Sequence, residues 1–228
     1  MVRMIEMRTI KQVIVVVCCL MCLLWIADRV DAASLQATEQ IRDSINSILD
    51  ILKNQELKQP AKKEERRKRI TDVISNRFDF EEMAKRSLAR YWAERTPEQR
   101  KNFVEIFSKL LEASYIGRIE DYSDEKILYP KEDIRGDYGA VYTLIKKENM
   151  EIPVIYKVKL KEGKWWVYDV DIEGVSLVNT YRNQFAKIIS QKSYDGLIER
   201  MKKKLAEVRA LESAPAPSAP GSTAPPSV

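Results

Sequence analysis

The chain has 228 residues, enough for one medium domain with a sizeable core plus terminal extras. Its net charge is only +5, with 34 acidic residues against 39 basic ones, and so mixed a surface argues against nucleic acid as a partner. There is no histidine, and all three cysteines (Cys18, Cys19, Cys22) lie near the N-terminus, which removes cysteine metal sites, the commonest zinc ligand, Ser-His or Cys-His nucleophiles and most hydrolase and metalloenzyme chemistry from the body of the protein.

Arg3, Arg8 and Lys11 precede an apolar run from Val13 to Ala27, and small residues around Ala32 offer a cleavage site. Residues 1–32 thus read as a secretory signal peptide. A membrane anchor is the alternative, but the run falls short of the roughly 20 residues that span a bilayer. Met21 before Cys22 argues against a lipoprotein signal. At the other end, residues 212–228 are rich in Ala, Pro and Ser and read as a disordered tail, which leaves one α+β domain over 33–211.

Within that domain, Leu35, Ile41, Ile45, Ile48, Leu49 and Leu52 recur at helical spacing up to Gln59-Pro60. The run from Lys62 to Arg69 reads either as a docking surface for an acidic partner or anionic headgroups, or as a solvated helix face. The second reading is favoured, with i,i+4 pairs joining Glu64 to Lys68 and Glu65 to Arg69. Asp79 with Glu82 opens a short helix carrying Met83, Leu88, Tyr91 and Trp92. Thr96-Pro97-Glu98-Gln99 is a capping box with Pro at the first helical position. The helix it opens presents Phe103, Ile106, Phe107, Leu110, Leu111, Ser114 and Tyr115 in a wide stripe.

Strands follow. Lys126 to Tyr129 is short, Tyr138, Ala140, Tyr142 and Leu144 alternate, and so do Ile152, Val154, Tyr156, Val158 and Leu160. Pro153 belongs at a strand start or a sheet edge, since it lacks an amide donor. Glu162-Gly163 turns a hairpin into the stretch from Lys164 to Phe185. Strict alternation there places Trp166, Tyr168, Val170 and Ile172 on one face and Trp165, Val167, Asp169 and Asp171 on the other. Gly174 ends the strand and Ser176 caps a helix carrying Val178, Tyr181, Phe185, Ile188 and Ile189. Tyr194, Leu197, Ile198, Met201 and Leu205 form a last helix. Helices, three or four antiparallel strands, then helices predict an α+β domain with helices over one face of a curved antiparallel sheet.

Three motifs in that order, Gly163-Lys164-Trp165-Trp166-Val167-Tyr168-Asp169-Val170, Gly174-Val175-Ser176-Leu177 and Asn179-Thr180-Tyr181-Arg182-Asn183-Gln184-Phe185, resemble the MlaC-type periplasmic phospholipid-binding proteins. These are the toluene-tolerance auxiliary components of lipid ABC transporters. Phe80 to Leu88, Thr96 to Gln99 and Phe103 to Tyr115 also look like that family's central helices. The resemblance implies a cone like that of nuclear transport factors, around an internal apolar lipid pocket. It implies a non-enzymatic carrier in the periplasm, with phospholipid as bound cargo and no cofactor. The implied partners are an inner-membrane ABC transporter with its substrate-binding ring and an outer-membrane lipoprotein/porin complex.

On this reading the acyl chains meet Phe103, Phe107, Leu110 and Tyr115 from the central helix. The sheet supplies Tyr142, Tyr156, Val158, Trp166, Val170 and Ile172, with Val175 and Phe185 beside them. Each of these residues reads equally as ordinary core. An enzyme would have to use Asp169, Asp171 and Glu173, which alternation puts on one strand face. The simpler expectation is an acidic stripe, or Asp169 paired with an Arg such as Arg182. Ser176 lacks both a histidine partner and the second glycine of a nucleophile elbow. A non-enzymatic adaptor binding proteins or anionic surfaces through Lys62 to Arg69 and Lys202 to Lys204 is the remaining alternative.

Overall fold

The computed structural model describes residues 37–122, 125–147 and 150–213; the signal-peptide assignment and nearly all of the tail lie outside them. Helix α1 covers residues 37–53, and a 3-10 turn at Pro60–Lys62 leads into α2 (Lys63–Ser75). Next come α3 (Phe80–Leu88), the single turn α4 (Arg90–Ala93) and α5 (Pro97–Glu120). The strands are β1 (Lys126–Arg135), β2 (Tyr138–Lys147), β3 (Met150–Lys161), β4 (Lys164–Ile172) and β5 (Val175–Ser176). Helix α6 (Leu177–Ser213) closes the chain and breaks at Ser193, whose φ of 78° is not helical and whose hydroxyl accepts from the Gly196 amide.

The five strands form one antiparallel sheet in sequence order. Two hairpins turn where positive φ is available, at Glu162-Gly163 and Glu173-Gly174, as the I′ turn geometry requires. Pro153 sits in the central strand β3, but its carbonyl accepts from Glu173, just past the last paired residue of β4, so its missing donor disrupts no ladder. The capping box at Thr96 forms with both reciprocal hydrogen bonds. Asp79 caps α3 through the Glu82 amide, while the Glu82 carboxylate turns to Arg86.

Two β-bulges bend the sheet, one in β1 between Leu128 and Lys131, the other where β3 meets β4. The second overturns the predicted alternation. Val158 pairs with Val167 while Lys157 pairs with Asp169, so Tyr168 is the extra residue. The faces therefore change phase, and Trp165 and Val167 share the inner face with Val170 and Ile172. Trp165 is only 1% exposed, whereas Trp166 lies half-buried on the outer face under the Lys164 ammonium. Tyr142 is also outside, because it pairs with Ile155 while Val141 and Thr143 point inward. The β1 strand is also longer than predicted, the bulge carrying it past Tyr129 to Arg135.

Helices α3 and α6 pack on β4, and α5 packs on α3 and α6. The edge of β4 is covered by the backbone of Arg77 to Asp79, which exchanges hydrogen bonds with Val167. Gln40 of α1 accepts from both the Trp165 amide and the Arg77 guanidinium, fixing α1 to the same edge. At the opposite edge, the Thr38 amide donates to Glu132 of β1, 3.0 Å away. A satellite cluster around Leu52, Ile70 and Ile116 joins the far ends of α1, α2 and α5. Among the described residues no helix is long and apolar enough to cross a membrane.

Candidate apolar site

The inner sheet face consists of residue rows set by strand register. The row Gly139, Val158, Val167 is sealed, with both valines 0% exposed. In the row Val141, Tyr156, Val170, and in the row Thr143, Val154, Ile172, the tyrosine and the isoleucine become half-buried. In the last row, Ile127, Ile145 and Ile152, every residue is half-buried. Burial thus fades toward one end of the sheet, and three isoleucines lie where it is weakest.

The helical residues named from sequence divide along the same line. Phe103, Phe107 and Phe185 are fully buried, their rings 5.6–5.7 Å apart between centroids, and Leu110 is 1% exposed. Tyr181 adds an edge contact to Phe107 at 5.3 Å. With Val158 and Val170 these form the packed interior. Tyr115, Tyr156 and Ile172 are half-buried against it. Trp166 and Tyr142 are on the outer face, and Val175 is exposed in β5, so the structure does not bring these three to the interior.

The tyrosines at the open end report a dry setting. Burial pushes the Tyr115 phenol up to about 12, with Arg118 opposing. Burial likewise raises Tyr129 to about 12, against the pull of Arg42. Tyr156 is raised further, by burial first and by Tyr129 second, with Thr143 opposing through a hydrogen bond.

Among the described residues, two of the surface grooves flank this body. The larger, about 550 Å³, lies among α2, α5 and α6 and is lined largely by charged groups such as Lys63, Arg67, Lys109 and Arg209. The smaller, about 440 Å³, lies between α1 and β1. Ile45, Leu49, Ile127, Leu128 and Tyr129 form its apolar walls, and Arg42 and Lys53 supply its cations. Ile45 and Tyr129 also pack against the main core, so the floor of this groove adjoins the interior. Sequence reading missed Tyr129 and the isoleucine row, although Ile152 stood in the right alternating set.

Of the acidic stripe, Asp169 is structural. Asp169 is 4% exposed and accepts from Lys157 Nζ at 2.8 Å, Ser176 Oγ at 2.7 Å and the Val178 amide at 3.0 Å. It thereby holds the start of α6 against β4, and a carboxylate there also faces the positive end of the helix dipole. The expected Arg182 partner is elsewhere, donating to the Arg86 carbonyl. Ser176 caps α6 through the Asn179 amide. Among the described residues, no cluster of three or more His, Cys, Asp or Glu could hold a metal.

The basic run is mostly neutralised. Glu65 pairs with Arg69 as expected, Lys68 pairs with Asp72 rather than Glu64, and Arg66 and Arg67 both clasp Glu120 of α5.

A protein-family model described as MlaC protein matches residues 42–203. A protein of Haemophilus influenzae described as the intermembrane phospholipid transport system binding protein MlaC is 28% identical over 120 residues. That match covers 50% of this chain and 56% of the relative, so the chain spans little more than half of the relative's length. The solved phospholipid-binding protein of Ralstonia solanacearum, in complex with a phospholipid, superposes with a TM-score of 0.69 at 24% identity. It covers 76% of this chain and 99% of its own, and it shows the same fold.

Proposed function

Because the chain belongs to the MlaC family, we propose that it is a periplasmic phospholipid carrier whose cargo chains lie between the inner sheet face and the helices. The observation that carries this reading is the graded burial of the inner face, sealed at Val158 and Val167 and partly open at Ile127, Ile145 and Ile152. Covering apolar surface contributes about 0.8 kcal/mol per methylene, so acyl chains need no covalent or polar anchor to be held there. The relative's description as a phospholipid transport binding protein and the phospholipid in the Ralstonia structure support the same cargo.

The interior rings already pack on one another, so acyl chains enter by spreading the half-buried end rather than by filling a ready channel. Helix α5 rests on α3 and α6, and α2 grips its C-terminal end through Arg66 and Arg67 on Glu120, so the Tyr115 end of α5 and α2 move together when the site opens. The carrier passes lipid between an outer-membrane lipoprotein/porin complex and an inner-membrane ABC transporter with a substrate-binding ring, maintaining outer-membrane lipid asymmetry. No step requires catalysis, and Asp169, the best placed carboxylate, is committed to three donors. The test is phospholipid uptake from vesicles in high salt. Uptake that survives supports a closed apolar site, and uptake that collapses favours surface binding through exposed charges.

A further inference from the structure

The groove between α1 and β1 has a composition that the acyl-chain site does not explain. Arg42, Asn46, Leu49 and Lys53 are spaced i, i+4, i+7 and i+11, so they form one stripe on α1, and all four line the groove. The stripe faces Ile127, Leu128 and Tyr129 across the groove. Arg42 lies at the deeper end, its guanidinium carbon 4.6 Å from the centre of the Tyr129 ring. Tyr129 and Ile45 pack against the main core there, so a molecule with one anionic group and long apolar chains can place each part in matching surroundings.

Resting on the carrier reading, we propose that this groove seats the phosphate of the cargo phospholipid, with Arg42 and Asn46 as its direct contacts. Asn46 is one turn from Arg42, within reach of the same phosphate, and offers an amide donor beside the guanidinium. Lys53 lies two further turns out and draws the headgroup toward the groove by charge. Carboxylates do face the site. Glu39 pairs with Arg42 at 2.7 Å, but both side chains are about half exposed, and such a pair is weak enough to yield to a phosphate. Asp43 also lies near Tyr129. Glu125 is engaged by Lys147 at 2.8 Å, and with Glu39 and Asp43 beside Arg42 and Lys53 the charges offset one another, so a phosphate binds here by taking the place of Glu39 on Arg42.

The experiment compares uptake of dioleoylphosphatidylglycerol and dioleoylglycerol from phosphatidylcholine vesicles by the purified protein, its Arg42→Gln form and its Asn46→Ala form. The two lipids share acyl chains and differ in the phosphate. The wild type is expected to prefer the phospholipid, and Arg42→Gln to lower that preference about tenfold while leaving diacylglycerol uptake unchanged. Asn46→Ala, at an exposed helical position where Ala favours the helix, lowers it less and cannot do so by unfolding the protein. Inorganic phosphate or glycerophosphoglycerol at millimolar concentration is expected not to compete, since the apolar wall selects the whole amphiphile. Variants that keep the wild-type preference would overturn the headgroup assignment alone. Competition by free phosphate would mark a plain anion site and overturn it too. A wild type that takes up neither lipid would overturn the carrier reading and this one with it.

Discussion

The two ends of the inner sheet face are built from the same kinds of residues but carry different tasks. At the sealed end Val158, Val167 and Trp165 sit under helices pinned by Gln40, Arg77 and Asp169. At the open end Ile127, Ile145 and Ile152 are just as apolar, yet no described element buries them fully. Side-chain chemistry alone does not distinguish core from site. What separates them is how fully the covering elements enclose each row, and at the Trp165 end hydrogen bonds from Gln40 and Arg77 hold those elements in place.

Mutations that remove apolar volume sharpen this contrast most. Phe185→Ala is expected to cost about 3–5 kcal/mol in urea unfolding, because the Phe103 and Phe107 rings would border a cavity. Ile152→Ala should cost about 1 kcal/mol and instead reduce lipid retention, since half-buried positions lose less on truncation. Equal costs at the two ends would erase the distinction. Breaking a clamp comes next. Asp169→Asn should cost about 2–3 kcal/mol, leaving Lys157 without its ion pair and weakening the hold on the Val178 amide. Unchanged urea unfolding with altered lipid exchange would instead place Asp169 in the transfer step.

The open end also predicts a pH response. Below pH 10 the folded and unfolded chains both keep their phenols protonated, so Tyr115 and Tyr129 add no pH dependence. From pH 10 to about 12 the unfolded chain releases protons that the folded one retains, and stability falls as pH rises. The slope reaches at most about 1.4 kcal/mol per pH unit for Tyr115 and is smaller for the more exposed Tyr129, where solvent screens the effect. Tyr129→Phe should remove one such contribution, measured by urea unfolding across that window, and an unaltered slope would show that the ring is not dry. The smallest expected effect is on the basic helix, where Lys68→Ala should change stability by less than about 0.5 kcal/mol because its pair with Asp72 is well exposed.

The helical half of this organisation was legible in sequence. The Phe103 to Tyr115 stripe, the Thr96 capping box and the Ser176 cap depend on contacts within a few residues, and local spacing specifies them. The sheet was harder. A single bulge exchanged the roles of Trp165 and Trp166, and period-two reading cannot see a residue that pairs with nothing. Tyr142 failed for a different reason, since both faces of β2 alternate apolar residues and only pairing with β3 selects Val141 and Thr143 for the interior. The Asp169 clamp joins strands and helix through partners up to 12 residues away, which no short motif announces. The α1 stripe of Arg42, Asn46, Leu49 and Lys53 was readable by helical spacing, but its significance depends on β1 lying opposite.

The most direct measurement is quantitative lipid extraction with mass spectrometry on the detergent-free protein and on an Ile145→Asn, Ile152→Asn double variant, both after washing in high salt. The wild type is expected to carry near-stoichiometric phospholipid, and most of it is expected to be lost from a variant that still unfolds cooperatively. A wild type that is empty and takes nothing from vesicles, or a variant that retains its full lipid complement, would contradict the claim that acyl chains enter at the open end of the inner face.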